Sequence, residues 1–473
     1  LKNPIVDTMT FRSPTGANAN YSTDQLPDAQ ILFSPRLGFN WDVKGNRSLQ
    51  VRGGTGIFSG RPAFVWISNQ VGNNGILTGS IFQDNTTAYP FSTDVTTHIP
   101  DNATTPSSFG IAITDPDFKW PQVWRSNVGV DFKLPFDLVG TLEGIYSKTL
   151  NNVMYNDVNQ RPAAANFVGG DDRPYYAAST NARRLNAKIT DAILLFNTDE
   201  GYSYSLTAKL ERQFKNGWYA MAAYNFGEAK DLITAGSIAF SSWRDNRSVL
   251  GNNFPGLAFS DQDQRHRVIG AISYRVEYLK ALATTVSLFF QTNNQDRFSF
   301  FYNGDMNSDG ATANDLMYVP TNATDANEIL FKDITNGPTA AQQAEAFETF
   351  IQNDDYLSSI RGQYTERNGA IRPWVSTLDL SVQQEFFLKV GARRHTLQAR
   401  LDISNIGNMI DNSWGVGDAI VNGSPLRFDS RNAEGRPVYQ FTQVAGAFPT
   451  SALGVSNNLI DVWQMQFGFR YIF

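Results

Sequence analysis

The chain has 473 residues, a net charge of −6 at pH 7 with both signs mixed along its length, and no cysteine. The missing thiols exclude disulfides, thiol catalysis and cysteine-ligated metals together, and the absence of a basic face excludes nucleic acid as an expected partner. No run of about 18 apolar residues occurs, which rules out a transmembrane helix but not a transmembrane barrel, whose strands give no such run. Aromatic residues make up 13% of the chain and Gly and Asn are abundant, so an all-β protein with long loops is expected. It opens LKNPIVDTMT, with neither an initiator Met nor a charged leader followed by an apolar run, and is expected to be a mature or partial chain.

Period-two alternation, the mark of a strand with one apolar and one polar face, recurs along the sequence. It is readable first at 36–42 and 48–58, then at 122–132 and 138–148. In 202–212, YSYSLTAKLER, the residues Tyr202, Tyr204, Leu206, Ala208 and Leu210 alternate with Ser203, Ser205, Thr207, Lys209 and Glu211. Asn216-Gly217 then marks a tight turn, and the chain returns through Trp218, Ala220, Ala222, Tyr224 and Phe226. Further hairpins are predicted at 266–276 with 283–293 and at 374–386 with 395–405. The last strand, VWQMQFGFRYIF at 462–473, places an aromatic residue or Met at every odd position from Trp463 to Phe473.

These eleven strands are separated by segments of two kinds. Those at 43–47, 133–137, 213–217, 277–282 and 387–394 are short, and those at 59–121, 149–201, 229–265, 294–373 and 406–461 are long. A soluble sandwich accounts for the alternation of side chains but not for the strict alternation of loop lengths. An up-and-down outer-membrane barrel accounts for both, with short periplasmic turns and long outer loops; a propeller requires even spacing. Phe39, Trp41, Phe132, Phe136, Phe214, Trp218, Tyr274, Tyr278, Phe386 and Phe387 gather near the short turns, as an interfacial girdle does. Arg52, Arg125, Asp131, Glu143, Lys209, Asp379, Arg400, Asp402 and Arg470 all fall on the faces opposite the apolar ones, which fits a wet lumen. The expected fold is a transmembrane antiparallel up-and-down β-barrel in the bacterial outer membrane, crossing it many times. Residues 1–35 would form an extracellular loop leading into the barrel, and 36–473 its wall. An odd strand number leaves an edge that lipid does not tolerate, so eleven strands are expected to be part of a larger barrel.

Several stretches resemble Oar-like TonB-dependent outer-membrane transporters of the Bacteroidota type. They are FSPRLGFNWDVKGNRSLQVRGGTGIFSGR from Phe33, DQRHRV from Asp263, GDMNSDGATANDLMYVP from Gly304, NDDYLSSIRGQYTERNGAIRPW from Asn353, LDISNIGNM from Leu401, and the aromatic C-terminus. The resemblance implies a barrel of 22 strands around an N-terminal plug, with the final eleven strands here and the plug and TonB-contacting segment outside this chain. It implies active transport of a large ligand, a peptide or protein, a glycan or a chelate, with the TonB complex and the barrel-assembly machinery as partners. A last strand ending in Phe473, with Tyr471 and Phe469, resembles the signal that this machinery reads. A surface adhesin or structural barrel that binds partners through its long loops is the alternative.

Little else points to chemistry. The run GGTGIFSG at 53–60 follows a hairpin and opens no helix, so it lacks the helix N-terminus that a phosphate loop uses; Gly54 and Gly56 are expected to leave room for a plug. His98, His266 and His395 lie in or beside different loops and turns and offer no zinc cluster. No nucleophile elbow or kinase-like set is present, and no catalytic residue is expected. Helical periodicity occurs at 339–352, TAAQQAEAFETFIQ, with Ala340, Ala344, Phe347 and Ile351 on one side, as in a helix packed on the barrel mouth or a lid over it. Trp66, Tyr89, Trp120, Tyr175, Tyr176, Trp243 and Trp414 are expected to pack the loops together, with stacking on a ligand as the sharper role. In DMNSDGATAND, Asp305, Asn307 and Asp309 stand at positions 1, 3 and 5 of an EF-hand-like pattern with Gly310 at position 6. The carbonyl of Ala311 would supply the position-7 oxygen and Asp315 the closing carboxylate of a structural calcium site, one residue short of a true EF-hand.

Overall fold

The computed structural model describes residues 1–473 except 61–62, 78–83, 85–86, 100–107, 178 and 392. Its frame is eleven strands: β1 Arg36–Asp42, β2 Leu49–Ser59, β3 Gln122–Leu134, β4 Leu138–Asp157, β5 Tyr202–Lys215, β6 Trp218–Asp231, β7 His266–Tyr278, β8 Leu282–Asn294, β9 Trp374–Val390, β10 Arg393–Ser404 and β11 Gln464–Ile472. Each pairs antiparallel with the next in sequence, in one unbroken path. All eleven strands expected from alternation are present. The tight turn at Asn216-Gly217 has φ of 53° and 82°, the left-handed pair that a two-residue hairpin needs and that Asn and Gly tolerate best. Among the described residues β1 pairs only with β2, and β11 only with β10.

The burial of this sheet is inverted. Val128 is 55% exposed, Leu206 53% and Phe469 78%, all on the apolar face. A side chain of this size gives up about 1.5–3 kcal/mol when left in water instead of apolar surroundings, and an apolar patch this long is foreign to a water-soluble monomer. The face is built for lipid. Trp218 and Tyr274, paired across β6 and β7, meet at a tilt with ring centroids 4.4 Å apart at the short-turn end. Phe39 and Phe132 lie over Gly53 and Gly140, where an added Cβ would meet the rings at 2.8 and 2.4 Å. Phe387 departs from the expected girdle. It is out of phase with exposed Phe386 and lies under the Arg394 guanidinium at 3.7 Å, because neighbouring residues of a strand face opposite ways. A second aromatic group marks the long-loop ends, with Trp124 against Tyr146 and His266 stacked between Tyr224 and Trp374.

The water-excluding cores lie in the long connections. One cluster gathers Phe300, Tyr302, Met306, Met317, Phe350 and Phe441. A second joins Val6 and Phe11 to Phe109, Ile111, Ile189 and Leu194, so the start of the chain packs on the loops, while Ile31 and Phe33 nearer β1 are exposed. A third holds Phe118, Tyr155, Leu195 and Trp243. β4 runs to Asp157 instead of stopping at 148, because residues 152–157 pair with the strand Ile189–Thr198. Residues 153–157 are buried throughout; loops cover both faces there, so the alternation that reveals a lipid-facing strand stops. Helix α1, Ala340–Gln352, has Thr339 as N-cap in a capping box with Gln342. Its buried residues are Gln343, Phe347, Phe350 and Ile351. Ala340 and Ala344 of the expected face are only partly covered.

Candidate functional site

The polar face of the sheet is neutralised from within. Arg52 on β2 donates from Nε to Asp131 at 3.0 Å and from Nη1 to Glu143 at 2.6 Å, on the next two strands. Thr141 Oγ1 donates to the other Asp131 oxygen. Arg275 on β7 reaches Glu385 on β9 at 2.9 Å across the intervening β8, and Arg400 pairs with Asp402 on β10. These groups are partly exposed, so the face is lined with hydrated charge. Gly54 and Gly56 sit on the same face as Arg52, and Gly56 also answers a local need. A Cβ there would stand 2.8 Å from the Pro35 carbonyl, so its absence serves the close approach of the chain entering β1.

The acidic loop follows the core residue Tyr302 and runs back into the core at Leu316 and Met317. Each acid or amide at the expected positions accepts from a backbone N–H of the loop. Asp305 Oδ2 accepts from Gly310 at 3.0 Å, Asn307 Oδ1 from Asp309 at 2.9 Å, Asp309 Oδ1 from Ala311 at 2.8 Å, and Asp315 Oδ2 from Met306 at 3.0 Å. Gly310 has φ of 99°, the turn that glycine permits. Burial, reinforced by Asp309, pushes the Asp305 carboxyl up to about 6, and burial likewise raises Asp309 and Asp315. Among the described residues no group of three or more His, Cys, Asp or Glu is arranged to hold a metal ion, so the acids alone do not make a cage.

Sequence reasoning missed the partner of this loop. Arg173, fully buried, donates from Nε to Asp171 at 2.9 Å and from Nη2 to the Leu316 carbonyl, and stands 3.6 Å from Asp315 Oδ1. Tyr302 and Tyr439 stack on each other and both donate to Asp171 Oδ2. The only local sign was the acidic and basic run Asp171-Asp172-Arg173 between Gly170 and Pro174. A cavity of about 410 Å³ opens between the long connections, lined by Ser241, Arg247, Asp261 and Arg367 among others. The Arg247 guanidinium lies 4.2 Å from the Phe301 ring centre.

The remaining candidates are separate. Phe469, Tyr471 and Phe473 lie on the outward face of the last strand, with Tyr471 bonded to His395 at 2.6 Å. His98 contacts the Pro90 carbonyl, and His266 contacts Tyr224, so the histidines form no cluster. Trp243 and Tyr176 are buried in the loops, Trp66 stacks on Trp120, and Tyr89 and Trp414 are exposed.

An antiparallel path of eleven strands, apolar and uncovered on one face, charged on the other, and joined by short turns at one end and long packed loops at the other, is the wall of a transmembrane β-barrel. The chain belongs to the family of the outer membrane beta barrel domain, whose model matches residues 7–414. It therefore resides in the bacterial outer membrane. No curated protein matches it. Among solved structures it is similar to the outer membrane transporter YddB from Escherichia coli, at 11% identity and a TM-score of 0.41, covering 92% of this chain and 40% of that one. It is also similar to a mutant of the ferric enterobactin receptor PfeA from Pseudomonas aeruginosa, at 7% identity and a TM-score of 0.36, covering 93% and 39%. The chain thus spans about two fifths of the length of these structures.

Proposed function

We propose that this chain is part of the wall of a TonB-dependent active transporter of the Oar-like kind, which carries a large ligand across the outer membrane. The observation behind the reading is the charged inward face borne on a sheet with two unpaired edges. Bare edges are not tolerated in lipid, so further strands complete the barrel. A barrel of that size is too wide to be filled by its own side chains and needs a plug to be selective. Energy coupling through the TonB complex then belongs to the plug region. In this reading the packed loops, with residues 1–35 among them, face the cell exterior and meet the ligand first, and Phe469, Tyr471 and Phe473 guide barrel assembly. The resemblance favours a peptide or protein as cargo in a Bacteroidota-type cell.

The test is uptake by cells carrying or lacking the full-length gene, supplied with labelled peptides, glycans or metal chelates, with and without a protonophore that removes the energy for TonB. Accumulation of one class that needs both the gene and the energised membrane supports the reading. Equal accumulation in the deletion strain, with loss only of adhesion to a surface or partner cell, supports the adhesin alternative instead.

A further inference from the structure

We propose that the loop 305–315 binds one calcium ion through Asp305, Asn307, Asp309, the Ala311 carbonyl and Asp315, and that this ion ties three of the long outer connections together. The backbone bonds given above use one oxygen of each carboxylate and bend the chain into a ring, while the second Asp309 oxygen accepts from Asn307 Nδ2 at 3.2 Å and from Asn314 Nδ2 at 2.9 Å. The bond from the Met306 N–H to Asp315 Oδ2 closes the ring.

A second observation is independent of the spacing. Asp305 Oδ1, Asn314 Oδ1 and Asp315 Oδ1 are all buried and have no hydrogen-bond partner, and Asn314 and Asp315 are 0% exposed. Buried acceptors in a folded protein are nearly always satisfied. Two of these orphaned oxygens, Asp305 Oδ1 and Asp315 Oδ1, belong to the proposed ligand set and call for a shared partner. Arg173 meets Asp315 Oδ1 as a buried ion pair, its Nη1 3.6 Å away, but makes no hydrogen bond to it at that distance; its hydrogen bonds go to Asp171 and the Leu316 carbonyl.

The donor set chooses the ion. It contains only oxygens, two kinds of which, amide and carbonyl, are neutral; hard cations prefer such a set. Calcium takes about six to eight oxygens in flexible geometry, whereas magnesium demands near-ideal octahedral placement and keeps its waters. The three acids do not form a metal-holding group by themselves, so the ion depends on the neutral oxygens as much as on the charges.

The loop is also a junction. The Asn307 carbonyl accepts from the Tyr176 N–H, Asn314 Nδ2 donates to Asn252, and Ser248 and Leu316 exchange backbone contacts with the same segment. These partners come from 158–201 and 232–265, while the loop itself belongs to 295–373. Fixing the ring would therefore fix the mouth of the barrel.

The experiment uses the full-length protein purified in detergent, stripped with a chelator and titrated calorimetrically with calcium chloride or with magnesium chloride. The expected result is about one calcium bound with a dissociation constant on the order of 10⁻⁴ M or tighter, slower proteolysis of the outer loops in calcium, and much weaker magnesium binding. An Asp305→Asn, Asp309→Asn variant of unchanged circular dichroism should lose affinity by more than about tenfold. No calcium heat and no calcium-dependent protection in the stripped wild-type protein would overturn the site, whatever the variant does. Equal calcium content in variant and wild type would overturn the ligand assignment, and equal magnesium affinity would overturn the choice of ion. None of these readouts depends on the cargo or on transport.

Discussion

Leu206 and Thr207 stand side by side on β5, yet the physics assigns them different solvents. Leu206 is exposed on the apolar face, and Thr207 shares the inward face with Asn225, whose Nδ2 donates to its hydroxyl at 2.9 Å. Leu206→Arg should therefore cost roughly 2–4 kcal/mol of folding stability in vesicles, the range for a cation near the bilayer midplane, and Thr207→Arg well under half of that. Equal losses in reversible denaturant titrations would refute the assignment of faces. Gly140→Ala makes a second test. Its Cβ would stand 2.4 Å from the Phe132 ring, so the ring must swing away from its cover, at about 1–3 kcal/mol for overpacking. Both faces were readable from the parity of the residues alone. The predicted hairpin already brought 132 and 140 close together, but the fit of Phe132 over Gly140 depends on the register across β3 and β4, which the alternation does not specify.

At the scale of elements, α1 shows where periodicity succeeds and where it fails. Its span and its N-cap follow from the repeat and from Thr339 with Gln342, but its buried side includes the polar Gln343. That residue is held because its Nε2 donates to the Lys332 carbonyl at 2.7 Å and its Oε1 accepts from the Phe441 N–H at 3.0 Å. A pattern scored for apolar residues passes over a buried amide of this kind. Phe347→Ala should remove about 3–5 kcal/mol from the loop core. Hydrogen exchange should show lost protection in 295–373 with β5 to β8 unchanged; a uniform loss across the sheet would show that loops and wall do not melt separately. The terminal strand carries a different prediction. If its aromatic face serves assembly, deletion of Phe473 lowers the amount inserted in the outer membrane while synthesis stays normal. Undiminished surface levels would count against that role.

For the molecule as a whole, the two edges are the exposed consequence. If further strands complete the barrel, β1 and β11 do not meet each other. This chain has no cysteine of its own, so within it only the two introduced thiols can pair. Asn40→Cys combined with Gln466→Cys in the full-length protein should give no disulfide under oxidation, since bridged Cα atoms must lie within about 7 Å. Rapid, complete cross-linking would mean that these eleven strands close on themselves.

The sequence by itself determined the wall: eleven strands, the face each turns to lipid, the hairpins, and the division into short and long connections. Those properties repeat every two residues or sit in a dipeptide such as Asn216-Gly217, so a short window contains them. Only the tertiary structure decided how the long connections fold. The extension of β4 beneath 189–198, the burial of Arg173 between Asp171 and Asp315, and the gathering of Phe300, Tyr439 and Phe441 into one core all join residues far apart in the chain. Outside the bilayer each segment is covered by whichever other segment packs on it, and no periodicity in either one records that choice.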